Sequence, residues 1–287
     1  MKNQKNVLKL LRNVEQFLTS LTFPTLLILL ISATLLIGCD QFEFSPNQSF
    51  DHSSPSNLNA QNLARLRQNA EDDTVTIVFA GDTQRWYDEQ ERFVKKVNSL
   101  ENVDLVLLAG DISDFGILQE FKWVQKRLSA LHVPYFGIIG NHDMVANGRQ
   151  IFQQMFGPLN YSFVYGGIKF IAHNTNGLEA PGENIPDLRW LSQELQNTEG
   201  ADYILTVSHV PPFNASEFGT ESVKPYTELL QSTPNLLLSL HGHVHQHEDF
   251  FPFGDKVHYM TSFSFEQSAF VLLQISKGKI LKSIIHY

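Results

Sequence analysis

Five short polar clusters each follow a short apolar run, and all five are built from residues able to bind metal ions. They are Gly81-Asp82-Thr83-Gln84, Gly110-Asp111-Ile112-Ser113-Asp114, Gly140-Asn141-His142-Asp143, Ser208-His209 and Gly242-His243-Val244-His245. The preceding runs are Val75 to Ala80, Leu105 to Ala109, Tyr135 to Ile139, Tyr203 to Val207 and Leu236 to Leu240. Continuous apolar runs of this length predict strands buried on both faces. The chain is thereby constrained to a layered α/β fold, with each cluster at the carboxyl end of a buried strand. That edge is where open α/β sheets bind ligands.

The segments between the runs complete the pattern. Asp88 to Leu100 places Phe93, Val97 and Leu100 on one helical face, and Ile117 to Leu131 does the same through Leu118, Phe121, Val124 and Leu128. With the first three strands these predict βαβαβ crossovers of the right-handed kind. Tyr161 to Tyr165 and Lys169 to Ala172 flank Gly166-Gly167, a hairpin signal. Val257 to Ser262, Ala269 to Ile275 and Ile280 to His286 read as strands, the last two joined at Lys277-Gly278-Lys279. The expected architecture is a sandwich of two mixed β-sheets flanked by helices, with the clusters at one shared edge. Phe156-Gly157-Pro158 and Arg189-Trp190-Leu191 read as core and scaffold.

An isolated Gly-Asp pair usually ends a strand and does nothing more; the joint occurrence is what carries meaning. Two divalent cations about 3.5–4 Å apart polarise a phosphoryl group and generate a hydroxide nucleophile. They need a bridging anion, oxygen donors and imidazoles. Asp82, Asp111, Asn141, His209, His243 and His245 supply these types, and His142 with Asp114 supplies an acid and an orienting partner. His241, His247 and Asp143 also have ligand chemistry but read as structural.

These motifs resemble those of the calcineurin-like metallophosphoesterase superfamily, over roughly residues 74 to 287. The resemblance implies that Asp82 and His245 bind a first metal, that Asp111 bridges, and that Asn141, His209 and His243 bind a second. It implies that His142 is the general acid, oriented by Asp114. The first motif of the family usually ends in histidine; here Gln84 stands there. An amide oxygen is a harder ligand than imidazole, which biases the first site toward manganese, magnesium or iron(II) over zinc; the two divalent ions expected are manganese or iron, with zinc or magnesium as the alternatives. The tyrosine ligand of the purple acid phosphatase branch has no counterpart at Ile112 to Asp114. The implied activity is hydrolysis of a phosphomonoester, phosphodiester or pyrophosphate bond by metal-bound hydroxide, with no covalent intermediate. The alternative is a non-catalytic metal- or ligand-binding lipoprotein on the same fold.

The amino terminus carries a second signal. Lys2, Lys5, Lys9 and Arg12 precede an apolar stretch from Leu21 to Ile37, which ends at Leu36-Ile37-Gly38-Cys39. That order matches a secretory signal, and its last four residues resemble a bacterial lipobox. Cys39 is the only cysteine, so no intramolecular disulfide is possible, and lipidation accounts for it. The expected organisation is a signal peptide over 1–38, a lipid-attached Cys39 with a flexible tether over 39–71, and the catalytic domain over 72–287. An uncleaved anchor is the rival reading; both place the enzyme on the extracytoplasmic face of a membrane. Ser45 to Gln61 is rich in Ser, Asn, Gln and Pro, as a tether is, and Leu58, Leu63 and Leu66 are spaced for a short helix.

The formal charge is −9, and becomes −12 without residues 1–39, which hold Lys2, Lys5, Lys9, Arg12 and Glu15. An acidic surface argues against a polymeric nucleic acid as partner and for a small phosphorylated substrate. Selectivity is expected from loops at Met144 to Ile151, Gly177 to Pro186 and Phe213 to Lys224. Phe213, Phe218 and Tyr226 there either stack on a substrate ring or fill the loop's own core. Arg85 and Trp86 face the substrate or pack at the surface.

Overall fold

The computed structural model describes residues 48–68, 73–254 and 256–287, with a few single positions before them. The Leu36 to Cys39 motif lies outside the described residues, among which no helix is long and apolar enough to cross a membrane.

Two mixed sheets form the centre. The first joins β1 (Val75–Ala80), β2 (Leu105–Leu108), β3 (Tyr135–Gly137), β10 (Ala269–Ser276) and β11 (Lys279–His286) in the order β11-β10-β1-β2-β3. The second joins β4 (Tyr161–Tyr165), β5 (Ile168–Ala172), β6 (Tyr203–Val207), β7 (Leu236–His241), β8 (Asp249–Phe250) and β9 (Tyr259–Thr261) in the order β4-β5-β6-β7-β9-β8. β1, β2 and β3 run parallel, as do β5, β6, β7 and β9, and the outer strands are antiparallel.

Strand alternation explains the unbroken apolar runs. Ile77 and Phe79 of β1 pack with Phe163, Phe170, Leu205 and Leu238 between the sheets. Val78 and Ala80 face outward, against Phe93 and Val97 of α2 (Tyr87–Val97) and Phe121 and Val124 of α3 (Leu118–Leu128). The second sheet's outer face is covered by α5 (Leu188–Gln196) and α7 (Thr220–Ser232), through Leu191, Leu195, Tyr226 and Leu230. Both faces of the central strands are therefore dry, and every β1 residue is buried, while the edge strand β11 stays exposed. Asp187 caps α5, its carboxylate accepting from the Arg189 and Trp190 amides at 3.1 and 3.0 Å.

Three segments add to or depart from the sequence expectation. Residues 58–66 form the short helix that the spacing of Leu58, Leu63 and Leu66 predicts, α1 (Leu58–Leu66), but its Leu58 and Leu66 are buried against the domain and not held in a free tether. The Asn59 side-chain amide donates to Gly137 O at 3.0 Å and accepts from Gly137 N at 2.9 Å. It thus pairs with the free edge of β3 as another strand would and covers it. Part of the expected Met144 to Ile151 loop begins α4 (Gly148–Met155). The expected Phe213 to Lys224 loop holds the four-residue α6 (Ala215–Phe218) and the start of α7.

Candidate metal centre

All seven expected metal ligands converge at the edge shared by the two sheets. Asp82, Asp111, His209, His243 and His245 each follow a strand by a few residues, and Asp82, Asp111, His243 and His245 have positive φ, from 53° to 73°. Non-glycine residues rarely hold such angles, although Asp and His do so more readily than most, so four in one site mark tightly specified turns. The turns are also close-packed. A Cβ on Gly110, at φ 92°, would lie 2.4 Å from His209 Nδ1, and one on Gly140 would lie 2.1 Å from Asp111 N. Glycine is required at both positions for backbone to reach the ligand beside it.

Two groups of donors share Asp111. In the first, atoms of Asp82, Asp111 and His245 all lie within 4.8 Å of one another. His245 Nε2 is 3.4 Å from Asp82 Oδ1. Gln84 joins this group: its Nε2 donates to Asp111 Oδ2 at 3.3 Å, while its buried Oε1 has no partner. In the second, His209 Nε2 lies 2.9 Å from Asn141 Oδ1 and 3.3 Å from Asp111 Oδ1. His243 Nδ1 lies 3.1 Å from the same Asn141 oxygen. Imidazole nitrogens and amide and carboxylate oxygens thus point at common centres, with one orphaned buried oxygen among them. This donor set fits two divalent cations with Asp111 between them.

The charges agree. Burial, opposed by the His209 charge and reinforced by Asp111, pushes the Asp82 carboxyl up to about 8. Burial would lower His209, but the adjacent Asp111 and Asp82 outweigh it and raise it to about 10. Burial also acts to raise Asp111, yet the His209 and His142 charges hold it below the usual carboxylate range. Buried carboxylates competing for one imidazolium form a site that a cation satisfies better than protons.

His142 lies outside this cluster of ligand atoms. Its backbone N–H donates to Asp111 Oδ1 at 3.0 Å, and its Nδ1 lies 2.8 Å from the Asp114 carbonyl oxygen. Asp114 is the residue expected to orient His142. Its carboxylate is farther than its carbonyl, 3.6 Å from Nδ1, and is ion-paired with Arg85. The main-chain carbonyl makes the shorter contact, and Arg85 braces the carboxylate. Trp86 packs on the core beside α2.

The other candidates are structural. Asp143 accepts from the backbone of Ile112, Ser113 and Gly140. His241 bonds to the Ser208 and Ser239 hydroxyls, and His247 to Thr261 O. Phe218 and Tyr226 are fully buried and meet edge to face at 4.9 Å, while Phe213 packs on Phe250 and Tyr259. Phe218 and Tyr226 fill the core under α7 and are not free to stack on substrate, whereas Phe213 is partly exposed.

A cleft of about 750 Å³ lies between the Gly177 to Arg189 segment and the α6–α7 junction, with Ser216 and Gly219 in its wall. None of the metal-ligand candidates lines it. Glu217, between those wall residues, reaches His243 Nε2 with its Oε2 at 2.6 Å. Sequence reasoning missed this contact: a lone glutamate in a loop region has no motif to mark it.

A family model described as calcineurin-like phosphoesterase matches residues 75–247. The chain is 26% identical over 182 residues to a 3',5'-cyclic-nucleotide phosphodiesterase of Nostoc sp., spanning 60% of this chain and 68% of that protein. It is 28% identical over 167 residues to "Probable glycerophosphodiester phosphodiesterase GpdQ" of Arcobacter nitrofigilis, spanning 52% and 60%. Among solved structures, a dimetal phosphatase from Danio rerio superposes with a TM-score of 0.56 at 16% identity, covering 74% of this chain and 99% of that one. That likeness is one of fold.

Proposed function

The chain belongs to the calcineurin-like phosphoesterase family and is a metal-dependent phosphoric ester hydrolase, and on that footing we propose that it hydrolyses a small phosphodiester, with His142 as the general acid. The observation that carries this reading is the sharing of Asp111. Its carboxylate meets Gln84 on one side and His209 on the other, and also fixes the backbone of His142. One side chain thereby sets the spacing of two cation sites and the position of the acid.

Two bound cations would polarise the phosphoryl oxygens and lower the pKa of a water. The residues do the rest. Asp82, Gln84 and His245 would hold one cation, Asn141, His209 and His243 the other, and Asp111 both. Nδ1–H of His142 is held by the Asp114 carbonyl, which leaves Nε2 to give its proton to the leaving oxygen. The water oxygen bonds to phosphorus, the ester P–O bond breaks, and the leaving alcohol departs protonated. The half-exposed imidazole suits this exchange, since 36% of the side chain is open to solvent. The cleft beside Glu217 would take the rest of the substrate.

Similarity to proteins named as phosphodiesterases supports the diester over the monoester and the pyrophosphate. The basic leader and Leu36-Ile37-Gly38-Cys39 support an extracytoplasmic enzyme tethered through lipid on Cys39; palmitate labelling lost in Cys39→Ala would be the corresponding result.

The chain, stripped of metal and reloaded with manganese or iron(II), would be assayed on an aryl phosphodiester and an aryl phosphomonoester. The diester should be cleaved faster, and Asp111→Asn should lower turnover by orders of magnitude with circular dichroism unchanged. Faster monoester cleavage would overturn the diester assignment.

A further inference from the structure

A histidine that binds a metal through one nitrogen uses the other to fix its own orientation, and the group it bonds there tunes its strength as a ligand. The two imidazoles of the second cation site solve this differently. His209 turns Nε2 toward Asn141 and Asp111, and its Nδ1 is 2.6 Å from the Ala109 carbonyl oxygen at the end of β2. That acceptor is a neutral main-chain group on the rigid sheet. His243 turns Nδ1 toward Asn141, and its Nε2 is 2.6 Å from Glu217 Oε2. Here the acceptor is a carboxylate, and it sits on the short α6, outside both sheets.

We propose that Glu217 is a positioning residue for the second cation: its carboxylate holds His243 in the tautomer that carries hydrogen on Nε2 and presents Nδ1 to the metal. The inference rests on the two-cation reading of the site. A charge-assisted bond at this distance is about twice as strong as a neutral one, and it draws electron density toward the ligating nitrogen. The contact is partly sheltered, with 12% of the His243 side chain and 35% of the Glu217 side chain exposed. Its chain context also matters. Leu178 N donates to Glu217 O at 3.3 Å, so Glu217 ties together the two segments that wall the cleft. One short helix carries both a wall of the cleft and the orientation of a ligand.

The effect should be confined to one of the two cations, because the first site's imidazole, His245, has no bond to Glu217. The test is a stepwise manganese titration of the metal-stripped full chain, read by calorimetry and by the electron paramagnetic resonance signature of a spin-coupled manganese pair. Wild type should bind two cations. Glu217→Ala should weaken one binding step by about 10- to 100-fold, leave the other unchanged, and lose the coupled-pair signal at limiting metal. Glu217→Gln, which keeps an acceptor oxygen without the charge, should fall between. Glu228→Ala, on the exposed face of α7, is the control and should match wild type. Nitrogen NMR of metal-loaded wild type should show His243 protonated on Nε2. Two unchanged steps in Glu217→Ala, or an equal weakening of both, would overturn the role of Glu217 while leaving the two-cation site intact. A wild type that binds fewer than two cations would instead overturn the site reading on which it rests.

Discussion

Asp143 accepts two hydrogen bonds from Ser113, from its amide at 2.7 Å and its hydroxyl at 2.9 Å. The third motif thereby holds the second motif's loop, since Ile112 N and Gly140 N donate to the same carboxylate. The group is fully buried. Replacing Asp143 by Leu would leave several buried donors unmet, which should destabilise the fold by about 3 kcal/mol or more. Urea denaturation of the metal-stripped variant against wild type measures this; a loss under about 0.5 kcal/mol would show that the staple carries no weight.

His142 should matter in proportion to how badly the leaving group needs a proton. For an alkyl phosphodiester, His142→Ala should lower kcat by about 10²- to 10⁴-fold. For a nitrophenyl ester, whose leaving group departs unprotonated, the loss should be much smaller. Equal losses on both would remove His142 from the general-acid role.

Gln84 sets the metal preference of the first site. Its buried Oε1 has no protein partner, and amide oxygen prefers harder ions than imidazole does. Gln84→His should shift competition between zinc and manganese toward zinc by at least about tenfold. Competition dialysis with metal analysis reports the ratio; an unchanged ratio would mean that Gln84 is not a ligand.

Metal loading should release protons. Asp82 and His209 are both shifted upward, so protons are held in the buried cluster near neutral pH and must leave it for these groups to ligate. Uptake at pH 7 should therefore release protons, with affinity rising as pH rises. Calorimetry in buffers of different ionisation enthalpy counts them, and no buffer dependence would contradict the assignment.

Beside Tyr226, burial lowers His173 to about 4 from an unfolded value near 6.5. The unfolded chain then binds the proton first as pH falls. The contribution of the neutral ring is fully present above pH 6.5 and is lost progressively down to pH 4, by about 3 kcal/mol. His173→Leu removes that dependence, so its stability deficit relative to wild type should shrink by a similar amount between pH 7 and pH 4. A constant deficit across urea midpoints would refute the shift.

The candidate ligands were legible because each lies within five residues of the end of a buried apolar run, so strand and ligand are written side by side. β1 and Asp82 are the plainest case. The helices Leu58–Leu66 and Ala215–Phe218 were not legible as parts of the folded unit and of the site. The first earns its place by pairing Asn59 with the β3 edge, the second through Glu217, and neither partner is near in sequence.

Sequence alone determined the layered α/β plan, the order of the strands that bear ligands and the chemical types of those ligands, because hydrophobic alternation and strand-end motifs are local properties of the chain. Tertiary structure decided which nitrogen each imidazole presents, that a carbonyl makes the shorter contact with His142, and that Arg85 takes up the Asp114 carboxylate. Those outcomes depend on which donors and acceptors meet through space when two sheets are packed, and no local pattern records them.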